Sequence, residues 1–98
     1  TGIDIAANTG TVIYAALDGV VKIASSEGDY GNHLRIEKDD VAIYYAHCNK
    51  LYVKEGEYVT QNQPIAEVGA TGNVTGPHLH FELWYKGSPV NPEEYISF

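Results

Sequence analysis

The segment Gly76-Pro77-His78-Leu79-His80-Phe81-Glu82 places two imidazoles at positions i and i+2 of a chain that has four histidines in all. In an extended strand successive side chains alternate faces, so His78 and His80 share one side, roughly 6.5 Å apart along the backbone. Leu79, Phe81 and Leu83 fall on the other side and supply an apolar underside. Two imidazoles behind a rigid Gly76-Pro77 offer metal ligands and acid/base groups in a fixed relation. The carboxylate to accompany them is Asp4, which lies between Ile3 and Ile5 in an alternating segment and so faces away from both. Imidazole with carboxylate suits a borderline metal such as zinc, whose catalytic sites keep three protein ligands and an open position for water. Asp4 and His80 would fill two of those three positions, and spacing alone admits His78 as well.

His47 follows the aromatic run Val41-Ala42-Ile43-Tyr44-Tyr45-Ala46, as the last strand residue or the first of a loop. Strict alternation would set it beside Val41, Ile43 and Tyr45. A lone histidine at a strand end more often makes a structural hydrogen bond, and a lone aspartate is more often a solvated surface group. Only the His78/His80 pair shifts the balance toward chemistry. His33, after Gly31-Asn32, reads as a hydrogen-bonded or partly exposed residue outside the reactive set. Glu82 shares the face of the paired histidines, where it either orients one of them or serves as a solvated or strand-pairing carboxylate.

Alternating or β-branched stretches that can hold these residues run over 11–16, 20–24, 33–37, 41–46, 64–68 and 78–85. Between them fall Asp18-Gly19, Gly28-Asp29, Asp39-Asp40, Glu55-Gly56, Thr71-Gly72-Asn73 and Gly87-Ser88, residues that tolerate tight or positive-φ turns. Short strands at turn intervals predict an all-β sandwich or barrel, with Asp18-Gly19 as the clearest two-residue hairpin signal. Asn91 and Pro92 suit the cap and first position of one closing helical turn before Tyr95. The 98 residues suit a single domain. Thirteen acidic and six basic side chains give a formal charge of −7, which argues against a nucleic-acid or anionic-membrane partner. One cysteine, Cys48, excludes an internal disulfide and reads as a small buried packing residue. No apolar run is long enough to span a bilayer as a helix. With Thr1 first and no methionine, the chain reads as a piece of a longer protein, so the lack of a leader carries no information.

Four segments together resemble the LytM or lysostaphin-like zinc endopeptidases in order and spacing. They are Thr1-Gly2-Ile3-Asp4-Ile5-Ala6, Tyr45-Ala46-His47, the stretch from Gly69-Ala70-Thr71-Gly72-Asn73-Val74-Thr75 through Glu82, and Gly87-Ser88-Pro89-Val90-Asn91-Pro92. The long glycine-rich stretch is the specific one, and the match covers nearly the whole chain. The resemblance implies a duplicated-hybrid-motif β-sandwich whose groove receives peptidoglycan stem or cross-bridge peptides and holds one zinc ion in the full-length protein; with two of three ligands, the chain as given is expected to bind zinc weakly or not at all. It implies a single peptidase domain over residues 1–98, truncated at its N-terminus, in an extracytoplasmic protein of the periplasm, cell wall or intermembrane space that can be membrane-anchored. The family's His-x-x-x-Asp motif sets its aspartate on Asp4 and its histidine at the position before Thr1. The third metal ligand falls on His80, while His78 and His47 match the two family histidines that flank the metal-bound water as acid/base and oxyanion-stabilising groups.

Cys48 stands where the family usually has leucine, and Asn62 where it usually has glycine; the first is an apolar substitute and the second tolerates positive φ. Two other function classes fit parts of the sequence. Without a ligand before Thr1, the domain would be an inactive binding or scaffolding module engaging another envelope protein. The segment 53–68 is also similar to the hammerhead hairpin of biotinyl and lipoyl carriers and of glucose-type phosphotransferase proteins. No modifiable lysine stands at the hairpin tip for a carrier, and phosphoryl transfer leaves Asp4 and the Gly76 to Glu82 segment without a role.

Overall fold

The computed structural model describes residues 2–72, 74 and 76–94. Among these described residues nine strands follow one another: β1 (Ile3–Ala6), β2 (Val12–Tyr14), β3 (Gly19–Ser25), β4 (Asn32–Lys38), β5 (Val41–Leu51), β6 (Tyr58–Val59), β7 (Pro64–Val68), β8 (His78–Tyr85) and β9 (Ser88–Val90). All pair antiparallel, in the order β1-β8-β5-β4-β3-β6, with β7 bridging β2 and β5 and with β9 on β8. The all-β architecture is therefore the one expected, and the predicted strands 64–68 and 78–85 have those bounds.

One strand organises the rest. The first half of β5 pairs with β8, from Val41↔Tyr85 to Ala46↔His80, and its second half pairs with β7, from Cys48↔Val68 to Leu51↔Ala66. The change of partner falls at His47, and it explains why β5 runs on to Leu51 rather than ending at Ala46. On its other edge β5 bulges against β4, because Asn32 pairs with Cys48 while Leu34 pairs with Tyr45. A bulge carries an extra residue out of the ladder and reverses the side-chain alternation beyond it.

Alternation holds along β1 and β8, and on β8 it builds the core. Leu79, Phe81 and Leu83 are buried on the underside of β8, together with Leu34, Ile36, Ile43, Tyr45, Val59 and Ile65. Tyr45 is the largest fully buried side chain among the described residues, its ring edge-on to Phe81 and its hydroxyl accepting from Ala16 N–H at 2.9 Å, so its polar tip is satisfied. Cys48 is also fully buried, and burial pushes its thiol up to about 12, far from a reactive thiolate.

The Asp18-Gly19 hairpin is not formed. The strands flanking it do not pair: β2 lies on β7, and β3 lies on β4 and β6. Asp18 instead accepts from Gln61 N–H at 2.7 Å, and a Cβ on Gly19 would stand 2.6 Å from the Glu37 carbonyl oxygen. Glycine is needed there for close strand approach rather than for a turn. Two-residue turns join paired neighbouring strands at Asp39-Asp40, where Asp39 has φ 54°, and at Lys86-Gly87, with φ 50° and 80°. That second turn sits one residue earlier than Gly87-Ser88, which frees Ser88 to open β9. Neither β6 nor β9 is evident from the sequence pattern. Asn62 takes φ 70°, the left-handed conformation its amide tolerates. The closing turn is a 3-10 turn, Pro92–Glu94, capped by Asn91 Oδ1 accepting from Glu93 N–H at 3.1 Å; Tyr95 lies outside the described residues.

Candidate functional site

The register of β1 against β8 sets Asp4 opposite His80 and Ala6 opposite His78. Because both strands alternate, Ile3 and Ile5 pack toward the core while Asp4 meets the two imidazoles on the open face. Asp4 Oδ1 lies 2.7 Å from His80 Nδ1 and 3.6 Å from His78 Nε2. His80 Nε2 lies 2.7 Å from Glu82 Oε2. Both nitrogens of His80 thus meet carboxylate oxygens, which only accept when ionised, so the ring carries a proton on each side. Burial opposes that charge, but the hydrogen bonds to Asp4 and Glu82 outweigh it and hold His80 above the usual imidazole range. The same hydrogen bond from His80 holds Asp4 below the usual carboxylate range.

Glu82 is the orienting group, not a solvated one. It is 6% exposed and accepts from Tyr30 Oη at 2.5 Å and Trp84 Nε1 at 2.9 Å besides His80. Burial favours its neutral form, yet these three donors win and keep its pKa below the usual value.

His47 reaches the groove by a route that alternation does not predict. Its φ of 64° at the partner switch of β5 turns the side chain away from the Val41, Ile43 and Tyr45 face. It lies beside His78 and His80, with ring centroids 5.3 and 5.9 Å away. Its Nδ1 sits 2.8 Å from the Thr71 carbonyl oxygen, an acceptor, so Nδ1 carries the proton and Nε2 keeps its lone pair. Burial holds its pKa below the usual imidazole value. His78 is fixed the same way, with Nδ1 3.0 Å from the Gly76 carbonyl oxygen and Nε2 toward Asp4. The resulting groove of about 370 Å³ is lined by Asp4, Asp29, Tyr30, His47, Val74, His78 and His80.

Glycines make this arrangement possible at two places. A Cβ on Gly31 would stand 2.4 Å from the Thr71 carbonyl carbon, so the loop that orients His47 rests directly on backbone. A Cβ on Gly2 would stand 2.6 Å from His80 Cε1 and 2.9 Å from its Nε2. Gly2→Ala should therefore push the His80 ring off its two carboxylates and break at least one of the two hydrogen bonds that fix it. Nitrogen-edited NMR of the His80 imidazole measures this, and ring signals unmoved from the wild type would show that the ring has room.

His33 stays outside the groove lining: it is buried, with Nδ1 2.9 Å from the Gly31 carbonyl oxygen and its ring edge-on to Tyr30, as a structural histidine. Sequence reasoning misses Tyr30 and Trp84. Tyr30 is separated from Glu82 by 52 residues, and no local spacing signals such a contact. Of the glycine-rich motif, Asn73 and Thr75 lie outside the described residues, as does Thr1. Among the described residues, no group of three or more His, Cys, Asp or Glu side chains is disposed to hold a metal ion. Asp4 and His80 form a pair of such donors.

Comparison with known proteins places this chain in a family. The sequence model of Peptidase family M23 matches residues 1–92. The chain is 44% identical over 93 residues to the DD-carboxypeptidase/endopeptidase Mpg of Neisseria meningitidis, covering 94% of this chain and 21% of that protein. It is 42% identical over 97 residues to the murein hydrolase activator NlpD of Salmonella dublin, covering 97% of this chain and 26% of NlpD. Among solved structures, a zinc-containing peptidase from Vibrio cholerae superposes with a TM-score of 0.88 at 41% identity, covering 91% of this chain and 28% of that one. The chain thus spans about a fifth to a quarter of the length of these relatives.

Proposed function

We propose, from the premise that the chain belongs to peptidase family M23, that its groove is the active site of a zinc-dependent endopeptidase. Its substrates are the stem or cross-bridge peptides of peptidoglycan, and its place is outside the cytoplasm, in the cell envelope. The observation that carries this reading is the pairing of Asp4 Oδ1 with His80 Nδ1 at 2.7 Å, while the other nitrogen of His80 is held by Glu82.

That donor set fits zinc. An exposed carboxylate and an imidazole nitrogen face each other, and a buried carboxylate behind the ring completes the carboxylate–histidine–metal arrangement common in zinc proteins. Asp4 and His80 would hold the ion, with the remaining protein ligand expected at the position before Thr1. When bound, zinc supplies Lewis acidity to the attacking water and the scissile carbonyl. His47 and His78 supply the proton handling. Each has Nδ1–H committed to a backbone carbonyl, so each presents Nε2 to the groove. His47, neutral because burial disfavours its charge, is suited to accept a proton through Nε2. One of the two takes the water proton, and the other, once protonated, stabilises the oxyanion or donates to the leaving amine.

A pH dependence follows. Below the raised pKa of His80 its Nδ1 carries a proton that the metal has to displace, whereas Asp4 and Glu82 stay ionised. Zinc affinity should hold at alkaline pH and fall by about tenfold per unit below that pKa, beginning above the ordinary imidazole value of about 6.5. Chelator competition across pH 8 to 5.5 measures it; a decline that starts only below that value would contradict the His80 assignment.

The similarity to an activator supports a second reading, in which the domain binds an envelope partner without cleaving. Incubation with purified peptidoglycan separates the two. The endopeptidase releases soluble muropeptides, stops when zinc is chelated and resumes when zinc is restored. Intact sacculi, with tight binding to another envelope protein, would favour the scaffold.

A further inference from the structure

The carboxylate of Glu82 is saturated with donors. Oε2 faces both Tyr30 Oη and His80 Nε2, at 2.5 and 2.7 Å, and Oε1 faces Trp84 Nε1 at 2.9 Å. An indole nitrogen only donates, and a phenol facing an ionised carboxylate donates as well. Glu82 is therefore the common acceptor, and His80 Nε2 is the third donor. That leaves Nδ1 as the nitrogen turned toward Asp4.

Tyr30 reaches this carboxylate from the loop between β3 and β4, far away in sequence. Its ring is packed against His33, Tyr44, His47 and His80, with centroids 5.5 to 6.3 Å away, so its hydroxyl has a fixed aim. Its carbonyl oxygen also accepts from His47 N–H at 2.8 Å. A carboxylate with two donors on one oxygen and one on the other has little rotational freedom. Without Tyr30 Oη, Oε2 keeps only the imidazole, and Glu82 is free to turn about Oε1 and Trp84.

We propose that Tyr30 is a positioning residue: its hydroxyl locks Glu82 Oε2 against His80 Nε2 and so aims His80 Nδ1 at Asp4. Its consequence for metal binding rests on the metallopeptidase reading; its consequence for the His80 ring does not.

Tyr30→Phe removes the donor and keeps the packed ring. Two readouts follow it in the whole protein: zinc affinity by chelator competition, and the low-field Nε2-bound proton of His80 in the metal-free protein by nitrogen-edited NMR. Zinc binding should weaken by about tenfold, and the His80 proton should move upfield and exchange faster with water. Tyr44→Phe, which removes a neighbouring phenol bonded to Arg35 instead, should change neither readout. In a Glu82→Gln background, Tyr30→Phe should add less than about a twofold further loss, because both act through one contact. The proposal is overturned by a Tyr30→Phe protein with an unmoved His80 proton and unchanged zinc affinity. An equal loss in Tyr44→Phe, or a full tenfold loss persisting in the Glu82→Gln background, overturns it too. If the wild type takes up no zinc, the metallopeptidase reading fails, while the His80 proton alone still decides the role of Tyr30.

Discussion

His80→Ala is expected to abolish both zinc retention and hydrolysis of peptidoglycan, the largest effect of any single substitution in this chain. The imidazole is one of the two proposed metal donors on the groove, and it is the one with a built orientation: Asp4 on one nitrogen, Glu82 on the other. Alanine removes the proposed ligand and leaves Glu82 buried without its imidazole partner, so the loss cannot be recovered by small shifts of Asp4. Losing the Lewis acid forfeits about 4 kcal/mol or more of transition-state stabilisation, roughly a thousandfold in rate. Asp4→Ala should resemble it. Metal analysis after dialysis, together with muropeptide release, tests both; a His80→Ala protein that keeps its zinc would remove His80 from the ligand set.

His78→Ala should behave differently, although the residue lies two positions away on the same strand face. Its Nε2 is 3.6 Å from Asp4 Oδ1, beyond hydrogen-bond distance, and its Nδ1 is committed to the Gly76 carbonyl. On the proposed reading it moves a proton beside the Asp4–His80 pair rather than joining that pair as a ligand. Turnover should drop by about 10²- to 10⁴-fold, the usual scale of a lost acid/base group, with metal content kept. His47→Ala should follow the same pattern. Equal loss of metal and turnover in His78→Ala would make it a ligand, the alternative that strand spacing alone leaves open.

Much of this site was legible because β1 and β8 alternate without interruption. Period-two reading put His78, His80 and Glu82 on one face, Leu79, Phe81 and Leu83 on the other, and Asp4 away from its isoleucines, and the structure has them so. His47 broke the rule for a physical reason. At φ 64° it sits where β5 changes partner, and no periodic pattern foresees a left-handed residue inside a strand. Only the resemblance through Tyr45-Ala46-His47 pointed to it. Asp18-Gly19 misled in the opposite sense: turn chemistry reports that a residue tolerates a reversal, not which strands pair, and here glycine serves the close approach to Glu37. Tyr30 was invisible because its function lies in a contact across the sheet with Glu82, a carboxylate that sequence reading left undecided between an orienting group and a solvated or strand-pairing one.

The most direct measurement is zinc content and soluble muropeptide release determined on the same preparation of the full-length gene product. About one zinc ion per chain is expected, with release that stops on chelation and returns with one equivalent of zinc. Peptidoglycan left intact by a preparation holding its zinc, or cleaved equally well after the zinc is removed, would contradict a zinc endopeptidase.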